Sequence, residues 1–507
     1  MTSAATLSIF RHLFASVADE MGVTLRRTAY SPNIKERLDF SCALFMVEEG
    51  APQMLAQAAH IPVHLGAMPA SVKAAIAACS PFREGDVVLL NDPYRGGNHL
   101  PDLTMVSVVG LRNKAGSDPM ANPNGPLFFV ASRAHHADVG GMSPGSMPLS
   151  TELFQEGIII PPLKIVEAGE RNKAVWQLIL RNVRTPQERE GDLAAQLAAH
   201  KIGAHRFGEI VDRYGLPVVL NHARSLIAYA ERLTRKAVEQ IPDGNYSFQD
   251  VMDDDGQSNE VIPVKVAITI EDDRMAVDFS GTAPAVTGNI NAVPAITHSA
   301  VVYCLRCTAL AILDLDLPMN EGVFRPLTIH IPQGSLLDPG PDHAVAAGNV
   351  ETSQRIVDVV FGALAEALPG LVPAASQGTM NNLTFGGSDN GSPFAYYETI
   401  AGGAGAGPEN HGCDGIHVHM SNTLNTPVEA MEYAFPIQVT EYRVRNGSGG
   451  AGKFRGGDGL VRGIRFLTPA RATITSERRR FEPYGLQEGR PGQAGQNSLH
   501  RDGKEIP

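Results

Sequence analysis

Apolar residues recur every fourth position near the start of the chain, at Ile9, Leu13, Val17 and Met21, and predict an amphipathic helix within residues 5–29. Asp39 to Phe45 then reads as a strand with Asp39 at its mouth, and Asp86 to Leu90 as a short buried strand. Leu103 to Leu111 and Leu127 to Ala131 are rich in β-branched and apolar residues. Residues 112–126 between them are full of Asn, Pro, Gly and Asp, so the three segments predict a β-hairpin. At Thr185-Pro186-Gln187-Glu188 a helix begins: Thr185 can cap, Pro186 suits the first turn and Glu188 can complete a capping box. It runs to about Tyr214 and stops at Gly215. A second helical pattern covers residues 217–240, and the two make an αα-hairpin that reads as scaffold or oligomer contact. Strands dominate from Tyr246 to Thr282, residues 295–313 are helical and Val323 to Ile331 is extended. Thr352 or Ser353 caps a helix to about Leu368. Residues 376–427 carry little regular pattern, and from Pro436 the chain reads as short strands with Gly turns.

This sequence of elements predicts a mixed α/β (α+β), multi-domain protein. The expected regions are 1–184, an N-terminal α/β region; 185–244, the helical hairpin; 245–345, a β-rich segment; and 346–507, a Gly-rich loop and C-terminal β region. A chain of 507 residues exceeds one ordinary core. With 51 Gly and 35 Pro it is loop-rich, and 43% hydrophobic residues make it globular. A net charge of −12 argues against nucleic acid or an anionic membrane as partner. No apolar run is expected to span a membrane, and Met1 to Phe10 lacks the features of a signal peptide. Five scattered cysteines do not form a disulfide framework, and the lone pair Cys304 and Cys307 reads as helix core, so a reduced, cytoplasmic protein is expected.

The candidate chemistry sits at the ends of the predicted hairpin. Asn91-Asp92-Pro93-Tyr94-Arg95-Gly96-Gly97-Asn98-His99-Leu100-Pro101-Asp102 precedes the first strand, and Arg133-Ala134-His135-His136-Ala137-Asp138 closes the second. Antiparallel pairing brings His99 and Asp102 beside His135 and His136, a donor set suited to a divalent metal. Adjacent strand residues point to opposite faces, so only one of the paired histidines can aim at such a site. His60 and His64 stand four apart with Pro62 between them, which breaks helical spacing. Each reads as a hydrogen-bonded core histidine or one that orients a ligand. Asp253-Asp254-Asp255-Gly256 fails the calcium-loop pattern at Val251 and Ile262 and reads as a solvated turn. Gly447 to Lys453 has phosphate-loop spacing, but Phe454 replaces the magnesium-binding Ser or Thr, so no nucleotide site is expected. The long Gly-rich loops from Ser376 to Asn425 are the candidate substrate pocket wall.

These residues resemble the hydantoinase B/oxoprolinase family along nearly the whole chain. The match includes Glu36-Arg37 with Asp39-Phe40-Ser41-Cys42, His60 to Gly66, Asn91 to Tyr94, His99 to Asp102, Arg133 to Asp138, Gly288-Asn289-Ile290-Asn291 and Gly348 to Arg355. The resemblance implies a metal held by Asp39, His99, Asp102 and His135: one divalent transition ion, Zn, Mn, Fe or Co. His136 and Asp138 are then the candidate catalytic residues, with His136 orienting a neighbour or carrying a proton to the leaving amine. It implies a hydrolase subunit in a hetero-oligomer with a hydantoinase A-type partner, which binds ATP and Mg and phosphorylates a cyclic amide: a lactam, hydantoin or 5-oxoproline. A ketone carboxylase subunit and a non-catalytic assembly subunit are the alternatives. Family members usually continue into a further Gly-rich segment, so a shorter C-terminal region is expected here.

Overall fold

The computed structural model describes residues 4–58, 60–110, 128–501 and 504–506. The predicted hairpin turn, residues 112–126, lies outside the described residues. The strands on either side of it do pair. In chain order the first seven strands are β1 (Phe40–Glu48), β2 (Ala51–Gln57), β3 (Val87–Leu90), β4 (Asp102–Val108), β5 (Phe128–His135), β6 (Leu163–Glu167) and β7 (Glu170–Arg171). They form one sheet in the order β2-β1-β5-β4-β3-β6-β7. A two-residue turn joins β1 to β2, with Glu49 and Gly50 both at positive φ (52° and 80°), the conformation that matches the twist of paired strands.

Both faces of this sheet are covered. Phe40, Cys42, Leu44, Phe128 and Val130 pack against helices Ala4–Thr28, Pro186–Tyr214 and Leu216–Val238. Ala43, Phe45, Val88, Val106 and Phe129 pack against helix Met68–Cys79. In the first helix the buried stripe is Phe10, Phe14, Val17 and Met21, whereas Ile9 is half exposed. A strict four-residue step drifts off the 3.6-residue helical period, and the two phenylalanines hold the true face.

Four further strands, β8 (Gly244–Met252), β9 (Ile262–Glu271), β10 (Arg274–Asp278) and β11 (Leu327–His330), form a second sheet in the order β11-β10-β9-β8. It packs on helices Pro294–Leu313 and Ser353–Ala367, in a core that runs without a break from Ile61 to Met420. Contrary to expectation, Pro294–Leu313 is long and apolar enough to cross a membrane by length and composition. Here it is a core helix, with Ile296, Ala300, Val301, Cys304 and Leu305 buried.

Other expectations also need correction. Thr185 makes no capping hydrogen bond, and the Glu188 carboxylate pairs with Arg189. Thr352 stands at the N-cap of helix Ser353–Ala367 but makes no capping hydrogen bond, and a π-helical turn, Gly348–Thr352, runs directly into the helix. Asp253 and Asp255 are not solvated. Asp253 accepts from the backbone amides of Arg479 and Phe481, and Asp255 accepts from that of Gly288 at 3.0 Å. The stretch 376–427 contains a regular hairpin, β12 (Asn382–Asp389) with β13 (Ser392–Thr399). Its inner halves are buried on both faces, so the polar–apolar alternation that marks a half-exposed strand is absent.

Candidate metal centre

Strand register builds the site. Asp102 lies opposite His135 in the β4–β5 pair, and Phe40 lies opposite Ala134 in the β1–β5 pair. The His135 amide donates to the Asp39 carbonyl at 3.0 Å, so three neighbouring strands deliver Asp39, Asp102 and His135 to one sheet end. His99 arrives from the loop before β4. Asn91 anchors that loop, donating to the carbonyls of Leu100 and Ile158 and accepting from the amide of Ile160 at 2.7 Å. Gly97 passes so close that a Cβ there would lie 2.2 Å from the Asn91 carbonyl oxygen, which only glycine permits.

Three imidazoles converge on the Asp102 carboxylate. His99 Nε2 is 3.2 Å and His135 Nδ1 3.4 Å from Oδ1, and His64 Nε2 is 3.3 Å from Oδ2. All four side chains are buried. Burial alone would raise the Asp102 pKa, yet His99 and His64 hold it well below the usual carboxylate range. Burial depresses the pKa of His135, which favours its neutral, ligating form. Burial works the same way on His99, but the Asp102 charge outweighs it and the pKa rises.

This arrangement is not a finished hydrogen-bond network. Both Asp102 oxygens, His135 Nε2 and Asn349 Oδ1 are buried without a hydrogen-bond partner among the described residues. Unpaired buried polar atoms are costly, and a cluster of them marks a place for a ligand. Donor atoms of His99, Asp102 and His135 all lie within 4.8 Å of one another. Neighbouring ligand atoms around an ion with bonds near 2.1 Å stand about 3.0–3.4 Å apart, which the measured separations match. Two imidazoles and a carboxylate fit a divalent transition metal. His99 Nδ1 meets the Ala346 carbonyl at 3.1 Å and must donate there, which leaves Nε2 for the ion. Glu156 holds that carbonyl in place, accepting from the amides of Val345 and Ala346; burial pushes its own pKa up to about 7.

The residues singled out from sequence separate here. His99, Asp102 and His135 come together. Asp39 lines the same cavity, with its carboxylate 3.9 Å from the Arg37 guanidinium. His64 reaches Asp102 from a 3₁₀ turn, Pro62–His64, with Ser41 Oγ 2.9 Å behind its Nδ1. His136 faces the other side of the sheet and meets Gln196 Oε1 at 3.0 Å. Asp138 is a buried anchor that accepts from the amides of Gly140 and Arg184 and from the Arg184 guanidinium at 2.9 Å. The αα-hairpin is more than distant scaffold, since its first helix carries Gln196 beneath the site.

Sequence reasoning left three residues of the site without a role. Asn349 lines the cavity from the π-helical turn. Tyr397 stacks on His135 with ring centroids 4.2 Å apart. Arg37, fully buried, donates to the Tyr397 carbonyl and the Thr399 hydroxyl, holding β13 against the metal end of the sheet. An arginine and an asparagine in motifs with no metal-type spacing gave no signal.

The cavity measures about 20 Å³, walled by Ile61, Val63, Met380, Thr399, Met420 and Thr423. A much larger cleft, about 1160 Å³, is lined by Gln377, Ile400, Gly402 to Gly407 and Ser448 to Phe454. Among the described residues no His or Asp side chain lines it, whereas the small cavity holds Asp39, His64, Asp102 and His135. The Gly447 turn is tied to Asp458, which accepts from the amides of Gly447 and Gly449.

Comparison with known proteins identifies the family and the fold. The family profile described as Hydantoinase B/oxoprolinase matches residues 3–507. A 5-oxoprolinase 1 from Arabidopsis thaliana is 40% identical over 97% of this chain, which spans only 39% of that protein. A putative B subunit of a D-/L-hydantoinase from a Pseudomonas species is 30% identical, over 97% of this chain and 83% of that one. The crystal structure of an ATP-dependent caprolactamase from Pseudomonas jessenii superposes with a TM-score of 0.83 at 27% identity, covering 94% of this chain and 80% of that one. The fold is also that of an acetone carboxylase in its nucleotide-free structure, with a TM-score of 0.86 at 19% identity over 96% of this chain and 65% of that one.

Proposed function

The chain belongs to the hydantoinase B/oxoprolinase family, and on that footing we propose that it is the metal-dependent subunit that opens a cyclic amide after an A-type partner has activated the amide with ATP. The observation that carries this reading is the convergence of His99, Asp102 and His135, with both Asp102 oxygens and His135 Nε2 left without a hydrogen-bond partner among the described residues. His99, Asp102 and His135 would hold the ion, with Asp39 beside them. When bound, a divalent ion there would supply Lewis acidity and make water nucleophilic at neutral pH. The chain's own residues position and enclose. His64, backed by Ser41, stands 3.3 Å from Asp102 Oδ2 and would orient that carboxylate. Tyr397, Met380 and Met420 exclude bulk water from a site meant for a reactive, phosphorylated amide. The partner is inferred from a relative that is a putative hydantoinase B subunit and from 5-oxoprolinases of which this chain spans a part.

The test is an assay of the chain co-expressed with its A-type partner, with ATP and a panel of 5-oxoproline, hydantoins, larger lactams and ketones. Ring opening that needs both chains, ATP and metal is expected, and the isolated chain should turn over no ATP. The fold shared with acetone carboxylase makes ketone carboxylation the competing outcome. Ring opening by the partner alone would overturn the reading.

A further inference from the structure

We propose that Asn349 is a further ligand of the same metal, bound through its side-chain carbonyl oxygen. The inference rests on the metal reading above and extends the shell to a residue type outside the His and Asp set.

The position of Asn349 is over-determined. It sits on the π-helical turn Gly348–Thr352, a form of backbone that occurs mostly at functional sites. The turn is fastened to the loop Gly288 to Asn291. The amides of Ala347 and Gly348 donate to the Asn289 carbonyl at 2.9 and 3.2 Å, and the Thr352 hydroxyl donates to the Ile290 carbonyl. A Cβ at position 348 would lie 1.8 Å from the Asn291 carbonyl oxygen, so the turn can seat here only with glycine. The result is a carboxamide 4% exposed, lining the cavity that also holds Asp39, His64, Asp102 and His135.

Its hydrogen bonding is incomplete in a telling way. The terminal nitrogen of Asn349 stands 3.1 Å from His99 Nε2. His99 donates its other ring hydrogen to the Ala346 carbonyl, so this Nε2 is the lone pair the ion requires. An amide hydrogen aimed at that lone pair competes with the ion, while Asn349 Oδ1 stays buried with no donor. A half-turn of the carboxamide exchanges oxygen and nitrogen at no cost in volume. The oxygen then occupies the place 3.1 Å from His99 Nε2, beside Asp102 Oδ1 at 3.2 Å from the same nitrogen. Both are ligand-to-ligand separations for bonds near 2.1 Å. Added to two imidazoles and the Asp102 carboxylate, with Asp39 lining the same cavity, a neutral carboxamide extends the ligand set without adding buried negative charge.

The experiment uses the full-length chain stripped of metal and reloaded with zinc, with affinity read by competition against a chromophoric chelator and the ligand field read with cobalt. Asn349→Ala should weaken zinc by more than about 100-fold, beyond the 10–100-fold that losing an outer partner brings. Asn349→Asp keeps an oxygen in place and should bind at least as tightly as wild type, with cobalt bands of similar strength. Unchanged affinity in Asn349→Ala would overturn the proposal and leave Asn349 as a mere partner of His99. Should Asn349→Ala fail to fold, weaker binding by Asn349→Asp would overturn it alone. A wild-type chain that takes up no metal defeats the metal reading itself, and this proposal with it. Loss of metal in His99→Ala with none in Asn349→Ala defeats the proposal only.

Discussion

Two buried histidine clusters lie on opposite faces of the same pair of strands. On one face His99 and His135 meet Asp102 at 3.2 and 3.4 Å, and both Asp102 oxygens and His135 Nε2 remain without a hydrogen-bond partner among the described residues. On the other, His136 meets Gln196, Gln196 donates to the Leu103 carbonyl and to Ser132, and His200 bridges Ser132 and Ser107 at 2.8 and 2.6 Å. Here both nitrogens of His200 are used, and only His136 Nδ1 is left over. Burial drives His136 down to about 4 and His200 to about 3, so both are neutral parts of the scaffold. Residue type does not separate the clusters, and neither does burial. The state of their hydrogen bonds does: one cluster leaves a single ring nitrogen unpaired, and the other leaves both oxygens of a buried carboxylate and a ring nitrogen, the pattern a ligand would complete.

The strongest way to break this comparison is Asp102→Ala. Wild-type protein in free metal at 100 times its dissociation constant should gain about 2.7 kcal/mol of stability. Asp102→Ala should gain none, bind no metal and lose ring-opening activity. Metal-dependent stabilisation surviving in the variant would show that the unpaired atoms are not a ligand set.

Splitting the adjacent histidines gives the next largest effect. His135→Ala should lose its metal. His136→Ala should keep it while losing roughly 2–5 kcal/mol of stability, from the cavity left behind and the unpaired Gln196 carbonyl. Elemental analysis beside urea unfolding reads both, and a swap of the two outcomes would reverse the assignment of faces.

The paired face also has a pH signature. His200 is neutral when folded, with its pKa depressed to about 3, and titrates near 6.5 when unfolded. Its contribution is therefore fully present above pH 6.5 and is lost as pH falls from there towards 3, because the unfolded chain binds the proton first. Metal-free wild type should lose stability between pH 7 and pH 5 more steeply than His200→Leu. Glu156 and Glu351, both pushed up to about 7 by burial, act in the opposite direction, so the difference between variants is the quantity to read. Parallel profiles would mean that His200 carries its proton in the fold.

The smallest effect is expected from Ser41→Ala. It removes the partner of His64 and touches no ligand, so metal affinity should fall by about tenfold. A complete loss of metal would move His64 into the shell.

How much of this was legible in the sequence varies from place to place. The β4–β5 hairpin and its end-to-end meeting of Asp102 with His135 follow from two β-branched runs around a turn-rich segment. The divergence of His135 and His136 follows from the alternation of side chains along a strand. The β12–β13 hairpin escaped notice because strands buried on both faces show no alternation. The π-helical turn escaped for another reason. It depends on a glycine seated against Asn291 and a threonine donating to Ile290, both far earlier in the chain, and no local pattern records such a contact. Asp253 and Asp255 read as solvated because acidic runs usually are, and only the tertiary fold shows the backbone amides that hold them.

The size of the cavity has a consequence in time rather than in space. Its volume of about 20 Å³ admits an ion or a single water and no organic ring. On the proposed function, a reacting carbon atom could come beside His99 and His135 only with Met380, Thr399, Met420 and Thr423 further from the sheet. Those residues hang from segments pinned by one buried guanidinium, that of Arg37, through the Tyr397 carbonyl and the hydroxyls of Thr399 and Thr423. On that reading, admission would need these segments to move, a motion of the kind that runs in microseconds to milliseconds. If that motion limited turnover, a looser pin would raise the rate and let water in with the substrate.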